Sequence, residues 1–170
     1  ADQAIRIDAL PSDGFFVAKQ LAALCEKENY DLIITGRESI DYNGAMVGGM
    51  LASFLSIPYL ANCVQFEMEG STATLEREID GGKEILSASL PLVLGAQKGL
   101  VEESDLIIPN MRGIMQARQK PLTVEIAVEV DAATTIQHFE KPQAKGPVRL
   151  VDAAEVDTLI ELLQNEAKVL

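Results

Sequence analysis

Apolar positions along the first third of the chain switch between two periods. Ile5–Asp8 reads as a short strand. Beyond it, Val17, Leu21, Leu24 and Cys25 recur at helical spacing and predict a helix from about Gly14 to Glu28, with Ser12 or Asp13 able to cap its start. Tyr30–Gly36 is apolar on both sides of its pleat, the pattern of a strand inside a parallel sheet. A polar, glycine-bearing loop from Arg37 to Gly44 follows, then a helix from about Ala45 to Leu55 that stops before Pro58. Strand, helix, strand, loop, helix is the order of a doubly wound sheet.

The middle of the chain changes style. Pro58–Glu67, Thr72–Ile79 and Glu84–Leu94 read as strands separated by Glu69-Gly70 and Asp80-Gly81-Gly82. Asp-Gly and Gly-Gly suit the positive φ of hairpin turns, so an antiparallel meander is expected beside the parallel core. After a loop over Val101–Asn110 come a short helix from about Gly113 to Gln119, ended by Pro121, and a last strand, Leu122–Val130. Thr134–Pro147 reads as an arm, since Pro142 and Pro147 resist regular structure. In the C-terminal helix Val156, Leu159, Ile160 and Leu163 share a face, Asp152 and Glu155 can form a capping box, and Val151 can staple to Val156. The fold expected is α/β: a doubly wound, mostly parallel, Rossmann-like sheet with a meander over residues 1–130, then a C-terminal arm and helix over residues 131–170.

Composition narrows the function classes. With 170 residues, 48% hydrophobic and 24% charged, the chain suits one globular domain. A formal net charge of −12 argues against a nucleic-acid partner and against anchoring on an anionic membrane. No apolar run reaches the roughly 18 residues of a spanning helix, so direct membrane insertion is not expected. The start, Ala1–Ile7, carries no targeting pattern and reads as a strand entered mid-fold. Cys25 and Cys63 match no metal or redox spacing and are expected to be buried free thiols.

Thr35–Gly49 is the most informative stretch. It leaves the C-terminal end of a buried strand and feeds a helix N-terminus, the edge at which open α/β sheets bind ligands. Free amides of Ala45, Met46 and Val47 are expected to point at a phosphate, with Gly44 allowing close approach and Gly48-Gly49 packing the helix on the sheet. The glycines can equally serve only to turn the chain and pack the helix, and the pattern is neither a P-loop nor a dinucleotide fingerprint. His138, alone in the arm, reads as a surface or interface residue. Glu102, Glu103 and Asp105 read as a solvated loop, and Arg77, Glu78 and Asp80 as a surface pair or an intersubunit contact. No catalytic residues and no metal site are expected.

Arg77-Glu78-Ile79-Asp80-Gly81-Gly82, within Leu75–Glu84 and followed by Leu90-Pro91-Leu92-Val93, resembles the signature of electron-transfer flavoprotein beta subunits. Ile114-Met115-Gln116-Ala117-Arg118 resembles that family's Ile-Met-x-Ala-basic segment, and Gly36–Asp41 its Gly-Lys-Gln-Ala-Ile-Asp nucleotide loop. Ala1-Asp2 is similar to its Gly-Ala-Asp entry into a strand. Family members carry further chain at the N-terminus that supplies the first strands, part of the nucleotide pocket and contacts near the flavin.

The resemblance implies an electron carrier, not an enzyme in its own right. It implies a heterodimer whose alpha subunit holds most of the FAD site, while the beta subunit holds AMP or, in electron-bifurcating members, a second FAD. Flavin dehydrogenases such as acyl-CoA dehydrogenases of fatty acid oxidation are the implied donors, and a quinone-linked or other redox acceptor follows. The implied setting is the bacterial cytoplasm or the mitochondrial matrix. Implied nucleotide positions are Gly36, Arg37, Glu38, Ser39, Ile40, Asp41, Asn43, Gly44, Ala45, Met46 and Val47. Two departures stand out: Ala45-Met46-Val47 replaces the family's Asn-Gln-Thr, and the usual Asn-x-Pro-Arg-Tyr segment is replaced around Val101–Ile108. Implied partner-binding positions are Asn110, Met111, Arg112, Ile114 and Met115, with Met111 as an apolar anchor just before the helix; packing of Met111 under its own loop is the alternative. The rival readings are a stand-alone adenine-nucleotide module of universal-stress type and a nucleotide hydrolase.

Overall fold

The computed structural model describes residues 1–170 and divides into two compact units, Ala1–Thr135 and Ile136–Leu170. Elements of the first unit run β1 (Ala4–Asp8), α1 (Gly14–Glu28), β2 (Leu32–Gly36), α2 (Val47–Leu55), β3 (Tyr59–Glu69), β4 (Thr72–Ile79), β5 (Gly82–Ser89), β6 (Leu92–Ala96), α3 (Met111–Ala117) and β7 (Leu122–Ile126). Asp13 starts α1, its carboxylate accepting from the Phe16 amide at 2.7 Å, and Asn29 ends it in the left-handed region (φ 53°).

Five strands form one sheet in the order β2-β6-β3-β4-β5, parallel from β2 to β3 and antiparallel from β3 to β5. β1 and β7 pair in parallel as a separate ladder. The architecture is thus α/β, with parallel strands, flanking helices and the expected meander. β3 belongs to both halves: Tyr59 and Leu60 pair with β6, and register shifts between Leu60 and Cys63 and between Cys63 and Gln65 lead it into β4. Asn62 takes φ 58° inside this irregular stretch.

β6 lies between two cores. On one side Val93 meets Ala22 and Cys25 of α1 and Leu51 and Ala52 of α2. On the other, Leu92 and Leu94 meet Leu60, Cys63, Ala73 and Leu75. Both cysteines are free and buried, and burial pushes both thiols up from their ordinary range. Tyr59 wedges its ring beneath α2. A methyl group added at Gly48 would lie 2.8 Å from the Thr35 hydroxyl and 2.9 Å from that ring, and one at Gly95 would lie 2.7 Å from the Tyr59 hydroxyl.

Several boundaries differ from the sequence pattern. Glu84–Leu94 is not one strand: Pro91, which has no N–H for a ladder, separates β5 at the sheet edge from β6 in its interior. The second helix begins at Val47 because Ala45 adopts φ 47°, which is incompatible with a helix. The third begins at Met111 because Asn110 caps it through the Gly113 amide at 2.8 Å. The last strand stops at Ile126, where its partner β1 ends at Asp8. In the second unit, α4 (Val156–Glu161) continues as a π-helical run, Leu162–Ala167. The capping box is absent: Asp152 accepts from the Ala154 amide at 2.9 Å and Glu155 makes no side-chain cap. No helix is long and apolar enough to cross a membrane.

Gly95→Ala should cost about 1–3 kcal/mol through overpacking against Tyr59 and the Ala61 backbone. Tyr59→Phe in the same chain should recover part of that loss. Urea denaturation of the single and double variants checks both outcomes.

Candidate functional site

Residues 36–47 connect the end of β2 to the start of α2, at the C-terminal edge of the parallel strands. The loop is tied internally. Ser39 Oγ donates to Asp41 Oδ2 at 2.6 Å, and the Asn43 amide donates to the Ser39 carbonyl at 2.8 Å. Asn43 and Ala45 both take left-handed conformations, at φ 48° and 47°, on either side of Gly44. Gly36 has open space where a side chain would stand, and at Gly44 only the Met46 methyl lies near, at 3.2 Å. No side chain caps α2, whose first intrahelical bond runs from the Met50 amide to the Met46 carbonyl. The amides of Val47, Gly48 and Gly49 therefore precede the helical ladder; of the three expected donors Ala45, Met46 and Val47, only Val47 lies within α2, and Met46 is its N-cap.

Three apolar side chains of this loop face solvent: Ile40, Tyr42 and Met46. Met46 also lies over the start of α1, since a methyl group on Gly14 would come within 2.7 Å of its sulfur. Arg37 is ion-paired with Glu38, and that pairing raises its already high pKa.

The fold brings Arg37 together with the family-like signature. Arg37, Asn62, Arg77, Glu78, Ile79, Asp80 and Gln97 line a cavity of about 530 Å³. Arg77 donates through Nε to Glu84 at 2.6 Å, its cross-strand partner on β5, and the Gln97 side chain donates to Glu78. Arg77 and Glu78 are therefore parts of a polar wall that also takes in the loop after β2. Asn62 and Gln97 were not singled out by the sequence pattern. The available signal for Asn62 is an amide within the otherwise apolar run Tyr59–Val64, and Gln97 gives none.

The other candidates lie elsewhere. Met111 is the first residue of α3 and is 75% exposed, with Ile114 and Met115 also exposed; it does not pack under its own loop. Leu106, Ile107 and Ile108 extend this apolar display ahead of the helix. Glu103–Asp105 forms a 3-10 turn, and His138 stands in the second unit 4.0 Å from Glu140 with its side chain exposed.

Residues 1–130 match the model of the electron transfer flavoprotein domain family. Electron transfer flavoprotein subunit beta of Syntrophomonas wolfei is 32% identical over 161 residues, covering 93% of this chain and 63% of that protein. The subunit of the same name from Bacillus subtilis is 32% identical over 184 residues, 99% of this chain and 70% of that protein. The one from Homo sapiens is 34% identical over 164 residues, 91% and 63%. The chain thus spans between 63% and 70% of the length of these relatives.

A left-handed alanine is strained where glycine is not. Ala45→Gly should stabilise the chain by roughly 0.5–1 kcal/mol, the steric relief exceeding the added backbone freedom of the unfolded state. A rise in the urea midpoint with an unchanged slope is the expected result.

Proposed function

The chain belongs to the electron transfer flavoprotein domain family, and from that premise we propose that it is the beta subunit of a heterodimeric electron carrier, with residues 36–47 holding an adenylate group. The observation that carries this reading is the loop itself: two left-handed residues flank a glycine, and three unbonded amides open α2 behind it. These amides and the helix dipole favour an anion at that edge. The adenylate belongs to AMP or to a second FAD, and the FAD of the working carrier sits mainly on the alpha subunit. Ala45-Met46-Val47 offers no side-chain donor to a phosphate, so backbone N–H groups carry that contact here.

Bound flavin supplies the redox chemistry of the heterodimer. The chain's own residues bind and position: the loop seats the nucleotide, and Arg37, Arg77, Glu78 and Asp80 set the charge of the cavity between loop and meander. Residues 131–170 pack on the alpha subunit. Asn110, Met111, Arg112, Ile114 and Met115 form the docking surface for a flavin dehydrogenase, such as an acyl-CoA dehydrogenase, and electrons pass on to a quinone-linked or other acceptor. The setting is the bacterial cytoplasm or the mitochondrial matrix. The family match over residues 1–130, meander included, favours this reading over a stand-alone adenylate module.

Mass spectrometry of the small molecules released on denaturing the heterodimer tests the cofactor assignment: FAD with AMP, or two FAD, is expected. Gly44→Val should lower nucleotide stoichiometry without unfolding the sheet, because a branched side chain there crowds the approach to the α2 amides. Full AMP or FAD retention in that variant would remove the loop from the site.

Burying an exposed methionine in a partner's pocket contributes roughly 1.5–3 kcal/mol. Met111→Ala should therefore weaken dehydrogenase docking about tenfold or more, with flavin content unchanged. The measurement is electron transfer from an acyl-CoA dehydrogenase at varied carrier concentration. An unchanged apparent affinity would move the docking site away from α3.

A further inference from the structure

Past β7 the chain leaves regular structure, yet residues 128–134 are fastened to α1 at both ends. Strand pairing ends at Ile126, and Val128 has no strand partner. Its backbone goes to a side chain instead: Gln20 Nε2 donates to the Val128 carbonyl at 2.7 Å, and Gln20 Oε1 accepts from the Val128 amide at 2.8 Å. A primary amide presents the same donor and acceptor that a peptide group presents in a ladder, so Gln20 stands in for the next strand residue. Gln20 is 5% exposed and is the one polar residue in the buried set. At the other end, Asp13 Oδ2 accepts from the amide of Thr134 at 2.8 Å and from its hydroxyl at 3.1 Å, while Oδ1 caps α1.

A third tie lies further along the same helix. Lys27 Nζ pairs with Glu125 of β7 at 2.6 Å. Asp13, Gln20 and Lys27 are spaced at two helical turns, so one line along α1 holds β7 and its extension at Glu125, Val128 and Thr134. The exposed lysine pair contributes little by itself. The buried amide and the capped carboxylate hold the segment.

We propose that Gln20 and Asp13 form a two-point clamp on residues 128–134, and that this clamp fixes the root of the C-terminal unit for docking on the partner subunit. The proposal rests on the reading above that residues 131–170 pack on an alpha subunit. Thr134 stands two residues before Ile136, where the second unit begins. Backbone ordered before association does not have to be ordered during it, so a clamped root lowers the entropic cost of docking.

The test uses the full-length protein, alone and with its alpha subunit. Hydrogen exchange at residues 127–135 reports the clamp, and titration of one subunit with the other reports docking. Gln20→Leu keeps most of the side-chain volume and removes both bonds. It should abolish protection at Val128 in the free subunit and weaken heterodimer affinity about tenfold. Thr134→Pro removes the two Thr134 donors to Asp13, leaves the Phe16 cap intact, and should act in the same direction from the exposed end should Gln20→Leu fail to fold. Lost protection with unchanged affinity would reduce the clamp to a local structural feature and overturn the proposal. Retained protection in both variants would overturn the clamp itself. Wild-type protein that is protected yet does not associate would instead sink the heterodimer reading, and the docking role with it.

Discussion

Everything in the first unit is arranged around the burial of β6. Leu92, Val93 and Leu94 are fully removed from solvent, alternating between two cores to which β2 and β3 also send alternate residues. A strand buried on both faces needs partners on both edges, and β2 and β3 supply them in parallel. Helices α1 and α2 cover one face, while the strands of the meander close the other. Tyr59 shows how little slack remains: its ring fits only because Gly48 and Gly95 carry no side chain. The same close fit places the first turn of α2 at the end of β2, where residues 36–47 collect.

Element type was legible wherever hydrophobic period and turn chemistry agreed. The first helix, the three meander strands and the two hairpin turns follow from local pattern alone. Boundaries failed where a single backbone angle or a distant partner decided. Nothing local in Ala45 announces a left-handed residue, and the apolar run Glu84–Leu94 hides a break at Pro91 between an edge strand and a central one. The end of the last strand depended on the length of β1, more than a hundred positions earlier in the chain.

The candidate site was legible in its loop and not in its walls. Gly36–Val47 could be picked out because glycine, polarity and a following helix coincide in one stretch. The cavity beside it joins Arg37 to Asn62, Arg77 and Gln97 from three other segments, and only the folded sheet brings them together. Gln20 lies within the predicted first helix, and nothing local distinguishes it there. Its role emerges only with the segment around Val128, which has no pattern of its own. Buried amides that replace strand partners leave no periodic trace, because their partner is a backbone and any residue can provide one.

The two register shifts in β3 set a condition on how this chain can change over evolutionary time. Leu60, Cys63 and Phe66 are three residues apart, yet all contribute to one core. In a regular strand that spacing would alternate faces; each shift restores the parity that the spacing breaks. The parallel half of the sheet and the meander are thereby locked in phase through one strand. Each shift is one residue in excess of the partner strand, so losing that residue straightens β3 without changing which face Phe66 takes, whereas a loss in its regular stretches inverts what lies beyond. Single-residue length variation is therefore tolerated at these two shifts and at the turns at Gly70 and Gly81, while the regular stretches of β3 gain or lose residues in pairs.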